Sequence, residues 1–386
     1  MIYLDNAATT RPDGGCLELA GQYLTQKFYN PSALYAEGYA LHKELVKTRS
    51  EILNLIANDR DFNIIFTSCG TEADNTAVFG GGRRGNVVTT YGEHSAVISA
   101  VNELKERGTE VRFASLNADG SVNIQSLLGL IDDKTSLVSV IHVNNETGAV
   151  NDVNEIASAV KRINSRTLFH SDGVQAFGKI PFKLGANIDF YSISAHKIGG
   201  LKGTGALIKR KNRSIKPLVY GGGQEEGLRS GTENVFGIKM LEFAAQKRYA
   251  EIDKNYGYVS KLNALLRDRL DKNLFKIISG DNASPYILCI AAQGVRGEII
   301  LHEVNDKGLI IGTGSACSSN DKKRYSRVIL SCGIDENTAD GVLRLSFSPE
   351  NTLKDIETAA EILNETVKRR KEIMEYNGKR NTCKIL

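Results

Sequence analysis

Short β-rich runs alternate with helical periods through the first two-thirds of this chain, and that alternation restricts what it can fold into. The strand-like runs cover 64–67, 87–90, 111–114, 137–143, 167–171, 189–194 and 205–209. Between them lie apolar stripes at helical spacing. One is Leu41, Leu45, Thr48, Ile52 and Leu55, and another is Val153, Ile156, Ala157 and Val160. This order predicts an α/β domain around a mostly parallel sheet, with any ligand beyond the carboxyl ends of its strands. Near residue 250 the pattern changes. A charged helix (253–272), strands at 286–292, 308–311 and 343–347, and a closing helix (353–376) predict a smaller α+β domain. The polar tail 377–384 is expected to be mobile.

At 386 residues the chain can build both units with ample core. Its 41% apolar and 24% charged content is that of an ordinary soluble protein. A net charge of +4 is too small and too dispersed to imply a nucleic-acid partner. No apolar run approaches the roughly 20 residues of a membrane span, and the first residues lack the pattern of a secretory signal. Six cysteines (16, 69, 289, 317, 332, 383) form no CxxC pair and no metal-ligand cluster. Free thiols in a reducing compartment are expected, hence a cytoplasmic protein without a structural metal.

Two residues concentrate the chemistry. Run 189–194 ends in Ser194-Ala195-His196-Lys197, and run 167–171 ends in Asp172-Gly173-Val174-Gln175. A lysine and a carboxylate delivered to strand ends suit pyridoxal phosphate, which needs an amine for its aldehyde and an acid for its ring nitrogen. Alone, Lys197 reads as a surface lysine before a glycine turn, and Asp172 as a helix cap. The Ser-x-His-Lys tetrapeptide following Asp172 favours the cofactor. Ser194 and His196 can reach a phosphate, and Gln175 the phenolic oxygen. Gly173 leaves space for a ring to approach the backbone.

Other segments add to this. Gly70-Thr71-Glu72-Ala73-Asp74-Asn75 opens a helix after a strand, which makes an anion site or an ordinary capping box. His94 follows run 87–90, where an imidazole can stack on a pyridine ring and move protons. Cys317 sits in Gly312-Thr313-Gly314-Ser315-Ala316-Cys317-Ser318-Ser319, a setting that suits a reactive thiolate, with Lys322, Lys323 and Arg324 following. Arg344 is the one charge within strand 343–347: either it faces water, or it clamps a substrate carboxylate. The loop from Gly221 to Asn234 is glycine-dense and ends in Arg229-Ser230-Gly231-Thr232, which can offer donors to a phosphate.

Together these segments resemble the cysteine desulfurases, class V aminotransferase-like enzymes of the fold-type I pyridoxal phosphate group. The match runs from Tyr3-Leu4-Asp5-Asn6-Ala7-Ala8-Thr9-Thr10 through Asn144-Asn145-Glu146-Thr147-Gly148 to Arg344. The resemblance implies a large domain (15–250) with a mostly parallel seven-stranded sheet, and a small α+β domain (1–14 and 251–386) carrying the Cys317 loop. It implies that Lys197 bonds the cofactor aldehyde, Asp172 holds the pyridinium and Gln175 the phenolic oxygen. His94 would stack on the ring, Asn145 would lie in the substrate pocket, and Gly70, Thr71, Ser194 and His196 would take the phosphate. Thr232 would reach the phosphate from a second subunit, which implies a homodimer. Arg344 would bind the carboxylate of L-cysteine. Cys317 would attack its sulfur, leaving a persulfide and alanine, and the sulfur would pass to an acceptor protein for iron–sulfur cluster assembly or tRNA thiolation. Cys69, Gly173 and Leu201 depart from the commonest family pattern, which has glycine, alanine and proline there. A selenocysteine lyase or related β-lyase is the alternative if Cys317 is dispensable. An aminotransferase would have no use for Cys317, and a sulfur-acceptor scaffold with structural cofactor no need of the full residue set.

Overall fold

The computed structural model describes residues 1–82, 85–313 and 325–382. The chain opens with β1 (Ile2–Tyr3) and then builds a seven-stranded sheet. Its strands are β2 (Phe62–Thr67), β3 (Asn86–Thr90), β4 (Val111–Ala114), β5 (Thr135–Ser139), β6 (Leu168–Asp172), β7 (Phe190–Ser194) and β8 (Gly205–Arg210). Their order is β2-β8-β7-β6-β5-β3-β4. Only β8 runs antiparallel to its neighbours.

Alternate residues of these strands enter different cores, as a period-2 chain between two helical layers requires. Ile64, Val88, Val138 and Ile208 join one cluster, with Leu41, Leu45 and Ile52 of helix Ala36–Ile56. Their neighbours Val87 and Leu137 pack instead with Val97 and Val101, and Ile65 and Leu207 with Ala73 and Ala77. Both faces are therefore covered, and each fully buried Leu, Ile or Phe contributes about 1.5–3 kcal/mol.

Beyond residue 250 a separate core forms. Strands β9 (Phe275–Ile277), β10 (Ile287–Ala292), β12 (Gly312–Thr313) and β13 (Val342–Ser346) make an antiparallel sheet, and β11 (Leu309–Ile310) pairs with β1. Helices Ile252–Arg269 and Leu353–Thr382 pack together against it through Leu262, Leu266, Ala359 and Leu363. Leu4 enters this core from the other end of the chain.

Two elements differ from the sequence reading. The run expected over 137–143 stops as a strand at Ser139. Beyond it, Val140 and His142 still donate to the carbonyls of His170 and Asp172, but the Ile141 N–H donates to the Glu93 side chain (2.9 Å). The tail expected to be mobile is helical as far as Thr382. No proline interrupts it, and extending an existing helix costs far less than nucleating one.

Candidate active site

The site lies where β2, β3, β5, β6 and β7 end. Asp172 closes β6, and its neighbour β7 ends at Ser194, leading into the short helical turn Ala195–Lys197. The pairing of Asp172 with Ser192 sets the two strand ends side by side. Lys197 Nζ donates to the carbonyls of Ala7 and Ala8, both at 2.7 Å. Gln175 Nε2 donates to the same Ala7 carbonyl at 2.9 Å. The reactive-lysine candidate and the Gln175 amide thus meet at one carbonyl of the N-terminal segment.

That segment crosses the whole site. Asp5 accepts from Arg344 Nη2 at 2.9 Å, Thr9 Oγ1 lies 3.1 Å from His196 Nδ1, and Thr10 binds the His196 carbonyl through both its N–H and its hydroxyl. Arg344 is 3% exposed, which excludes a water-facing strand-edge role. Its Nη1 donates to the Asn145 carbonyl at 3.0 Å, while its Nε is buried without a partner.

Helix Gly70–Gly81 starts at the end of β2, and Cys69, its N-cap, offers no side-chain cap. Its first N–H groups have no partner within the helix. The start is tightly packed: a Cβ on Gly205 would meet Cys69 C at 2.5 Å, and one on Gly70 would meet Val174 Cγ2 at 2.7 Å. That Gly70 position lies 3.5 Å from Ser194 Cβ, and the buried Ser194 hydroxyl has no partner. Orphan donors gathered here fit a phosphate. Thr71 is exposed beside them.

Beneath lies an acidic floor. Asp172 Oδ1 accepts from Val174 N at 2.9 Å, so it does cap the following turn. Burial, and then the Asp74 carboxylate, push its carboxyl up to about 7. Asp74 is likewise raised to about 7 by burial, with Oδ1 unpartnered and 3.5 Å from His170 Nε2. His170 is fully buried between the hydroxyls of Ser139 (2.8 Å) and Ser192 (3.0 Å), and burial lowers it to about 4. Glu93 accepts from Thr90 and Ile141, and burial raises it to about 8. A cationic ring nitrogen would relieve this crowd of carboxyls, so the site fits a protonated pyridine.

His94 caps helix Ser95–Glu106 by accepting from Ala96 N with Nδ1 (3.2 Å), which leaves its proton on Nε2. Burial and the charges of Lys197, Arg327 and Arg344 hold it down to about 4, so the ring is neutral.

Of the expected residues, Lys197, Asp172, Gln175, Ser194, His196, His94, Gly70, Thr71, Asn145 and Arg344 gather at these strand ends and the turns that follow them. Thr232 stands exposed on the loop after Gly221. Cys317 lies outside the described residues. The space at Gly173, expected to admit a ligand ring, is filled from within: a Cβ there would lie 2.0 Å from Tyr191 Cζ. Tyr191 in turn bonds His142 (2.8 Å) and stacks on Phe182. Leu201 packs against the large core. The sequence reading missed Asp5, Asp74, Glu93, His170 and Lys179. A histidine two residues before Asp172, hence on the same strand face, was the available signal. It also missed Ser326 and Arg327, which bind Glu146 Oε2 (2.5 Å) and the carbonyls of Tyr91 and Glu93.

Comparison with known proteins identifies the family. Residues 2–358 match the family model for class V aminotransferases. The cysteine desulfurase of Nostoc sp. (strain PCC 7120) is 36% identical over 98% of this chain and 96% of its own. A solved NifS-like protein superposes with a TM-score of 0.88 at 31% identity, over 95% of this chain and 99% of its own. SspA, solved in complex with cysteine, gives 0.79 at 28% identity, over 91% and 100%. The chain belongs to the class V aminotransferase family and, within it, to the pyridoxal phosphate-dependent cysteine desulfurases of fold type I.

Proposed function

We propose that this site converts L-cysteine to L-alanine and collects the sulfur as a persulfide on Cys317. The carrying observation is the delivery of Lys197 and Asp172 to adjacent strand ends, beside a buried Arg344. The solved complex of SspA with cysteine supports the choice of substrate. Pyridoxal phosphate, when bound, supplies an aldehyde that bonds amines and a protonated ring that draws electrons from the substrate Cα.

The chain's own residues do the rest. Asp172 would accept the ring N–H, and a cation there would favour the ionised form of its carboxyl. Gln175 would donate to the phenolic oxygen, and the neutral His94 ring would pack against the cofactor ring. The start of helix Gly70–Gly81, with Thr71, Ser194 and His196, holds the phosphate. Arg344 binds the substrate carboxylate, with Asn145 beside it. The Lys197 amine would take the proton from the substrate Cα. The Cys317 thiolate would then attack the substrate sulfur: an S–S bond forms, the Cβ–S bond breaks with its electron pair left on Cβ, Cβ takes a proton, and Lys197 returns the proton to Cα to give alanine.

Thr232 is assigned to the phosphate of a second copy. Its loop is held firmly: Glu225 forms two 2.6 Å bonds to Arg49, and Arg229 binds Glu72. Exposed Leu34, Tyr39 and Val46 border the same surface, which supports a homodimer. We assign residues 15–250 to the cofactor domain and 1–14 with 251–386 to the small one. Four free cysteines among the described residues support a reducing, cytoplasmic setting. The acceptor is assigned to iron–sulfur cluster assembly or tRNA thiolation, the two destinations that the family resemblance implies.

The test is mass spectrometry of the cofactor-loaded protein after L-cysteine, with alanine quantified. A persulfide on Cys317, with both products lost in Cys317→Ala, is expected. Undiminished alanine from that variant would overturn the assignment.

A further inference from the structure

Lys179 is 5% exposed, and among the described residues no carboxylate pairs with it. Its Nζ donates to Gln175 Oε1 at 2.8 Å, four residues back. Lys197, Arg248 and Arg344 are the charges that act on it, all of its own sign. Burial and these cations push its amine well below the ordinary value. Burying a lysine among like charges against a neutral amide is costly, and the contact does not return that cost as stability.

What the contact does settle is the direction of the Gln175 amide. Its two ends differ: one only donates and the other only accepts. The Ala7 carbonyl can only accept, and Lys179 presents donors. Between them the amide has one orientation, with the carbonyl toward Lys179 and the NH2 toward Ala7. The Lys197 amine binds that same Ala7 carbonyl, so the donor end of Gln175 is held beside the reactive amine. Reversed, the amide would set an oxygen against an oxygen.

We propose that Lys179 is a positioning residue that holds the NH2 end of Gln175 toward the phenolic oxygen of pyridoxal phosphate. This rests on the assignment of Gln175 to that oxygen made above. Losing one oriented hydrogen bond weakens cofactor binding by roughly five- to tenfold.

The experiment is a double-mutant cycle on the protein stripped of cofactor and titrated with pyridoxal phosphate. The dissociation constant and the yellow absorbance band of the bound cofactor are read together. Gln175→Ala and Lys179→Met are each expected to weaken binding by that factor and to shift the band. The double variant is expected to be no worse than Gln175→Ala alone, because Lys179 acts only through the amide. Full additivity, or a Lys179→Met protein that binds as tightly as the parent, overturns the inference while leaving the Gln175 assignment intact. A silent Gln175→Ala overturns both. Should Lys179→Met not fold, Lys179→Arg decides. It keeps a donor and is expected to bind within about twofold of the parent, whereas a loss equal to that of Gln175→Ala overturns the proposal.

Discussion

The floor of the site and its rim are built from opposite kinds of group, buried carboxyls below and cations above. The floor holds Asp172, Asp74 and Glu93, whose carboxyls burial lifts to between about 7 and 8. The rim holds Lys197, Arg344 and Arg327, together with the open start of helix Gly70–Gly81. A site of this kind is complementary to a molecule with a cationic ring nitrogen on one side and anionic groups on the other. The contrast shows that most of the binding logic is present before any ligand arrives. Under the proposed function it also divides the work, with the floor serving the electronics of the reaction and the rim serving binding.

That division can be broken by kinetics. Asp172→Asn removes the charge that stabilises the protonated ring, and is expected to lower kcat roughly 10²–10³-fold with little change in KM. Arg344→Leu removes the carboxylate partner, and is expected to raise KM for L-cysteine roughly 30-fold or more. Steady-state kinetics of both variants checks the split. If both act mainly on KM, floor and rim do not differ in role.

A smaller effect sharpens the same comparison through pH. Asp172, Asp74 and Glu93 keep their protons in the folded, cofactor-free protein to higher pH than in the unfolded chain, where carboxyls titrate near about 4. Their contribution is therefore complete below about 4 and is lost as pH rises through 7 to 8. The lowered His94, His142 and His170 act in the other sense, contributing above their unfolded value near about 6.5 and losing it as pH falls toward their folded values. A ring cation on Asp172 removes one carboxyl penalty, so the gap in Tm between loaded and cofactor-free protein should widen from pH 5 to pH 8. Asp172→Asn should flatten it. A gap that stays constant in the parent would mean that Asp172 does not meet the ring nitrogen.

The skeleton of the proposed site was legible in the sequence because strand, turn and candidate residue lie together in the chain. Asp172 ends one strand and Lys197 lies in the turn after the next, each announced by an apolar run, and Gly70 follows a third. What stayed hidden depends on distant pairing. Asp5 and Arg344 meet across nearly the whole chain, and nothing local marks Asp5 as the partner. Lys179 is hidden because lysine is ordinarily exposed, and only the fold encloses it. Gly173 was misread for a related reason: the ring it admits is Tyr191, which pairing of β6 with β7 brings alongside. Strand β5 also misled in length: it ends at Ser139, and beyond it the Ile141 N–H donates to Glu93 instead of to a neighbouring strand.

The most direct measurement of the central arrangement is covalent trapping of the cofactor. The loaded protein is reduced with borohydride, digested, and mapped by mass spectrometry. A phosphopyridoxyl group on Lys197, absent in Lys197→Ala, is the expected result. A label on Lys179 or Lys202 instead, with Lys197 unmodified, would contradict the placement of the reactive amine at the end of β7.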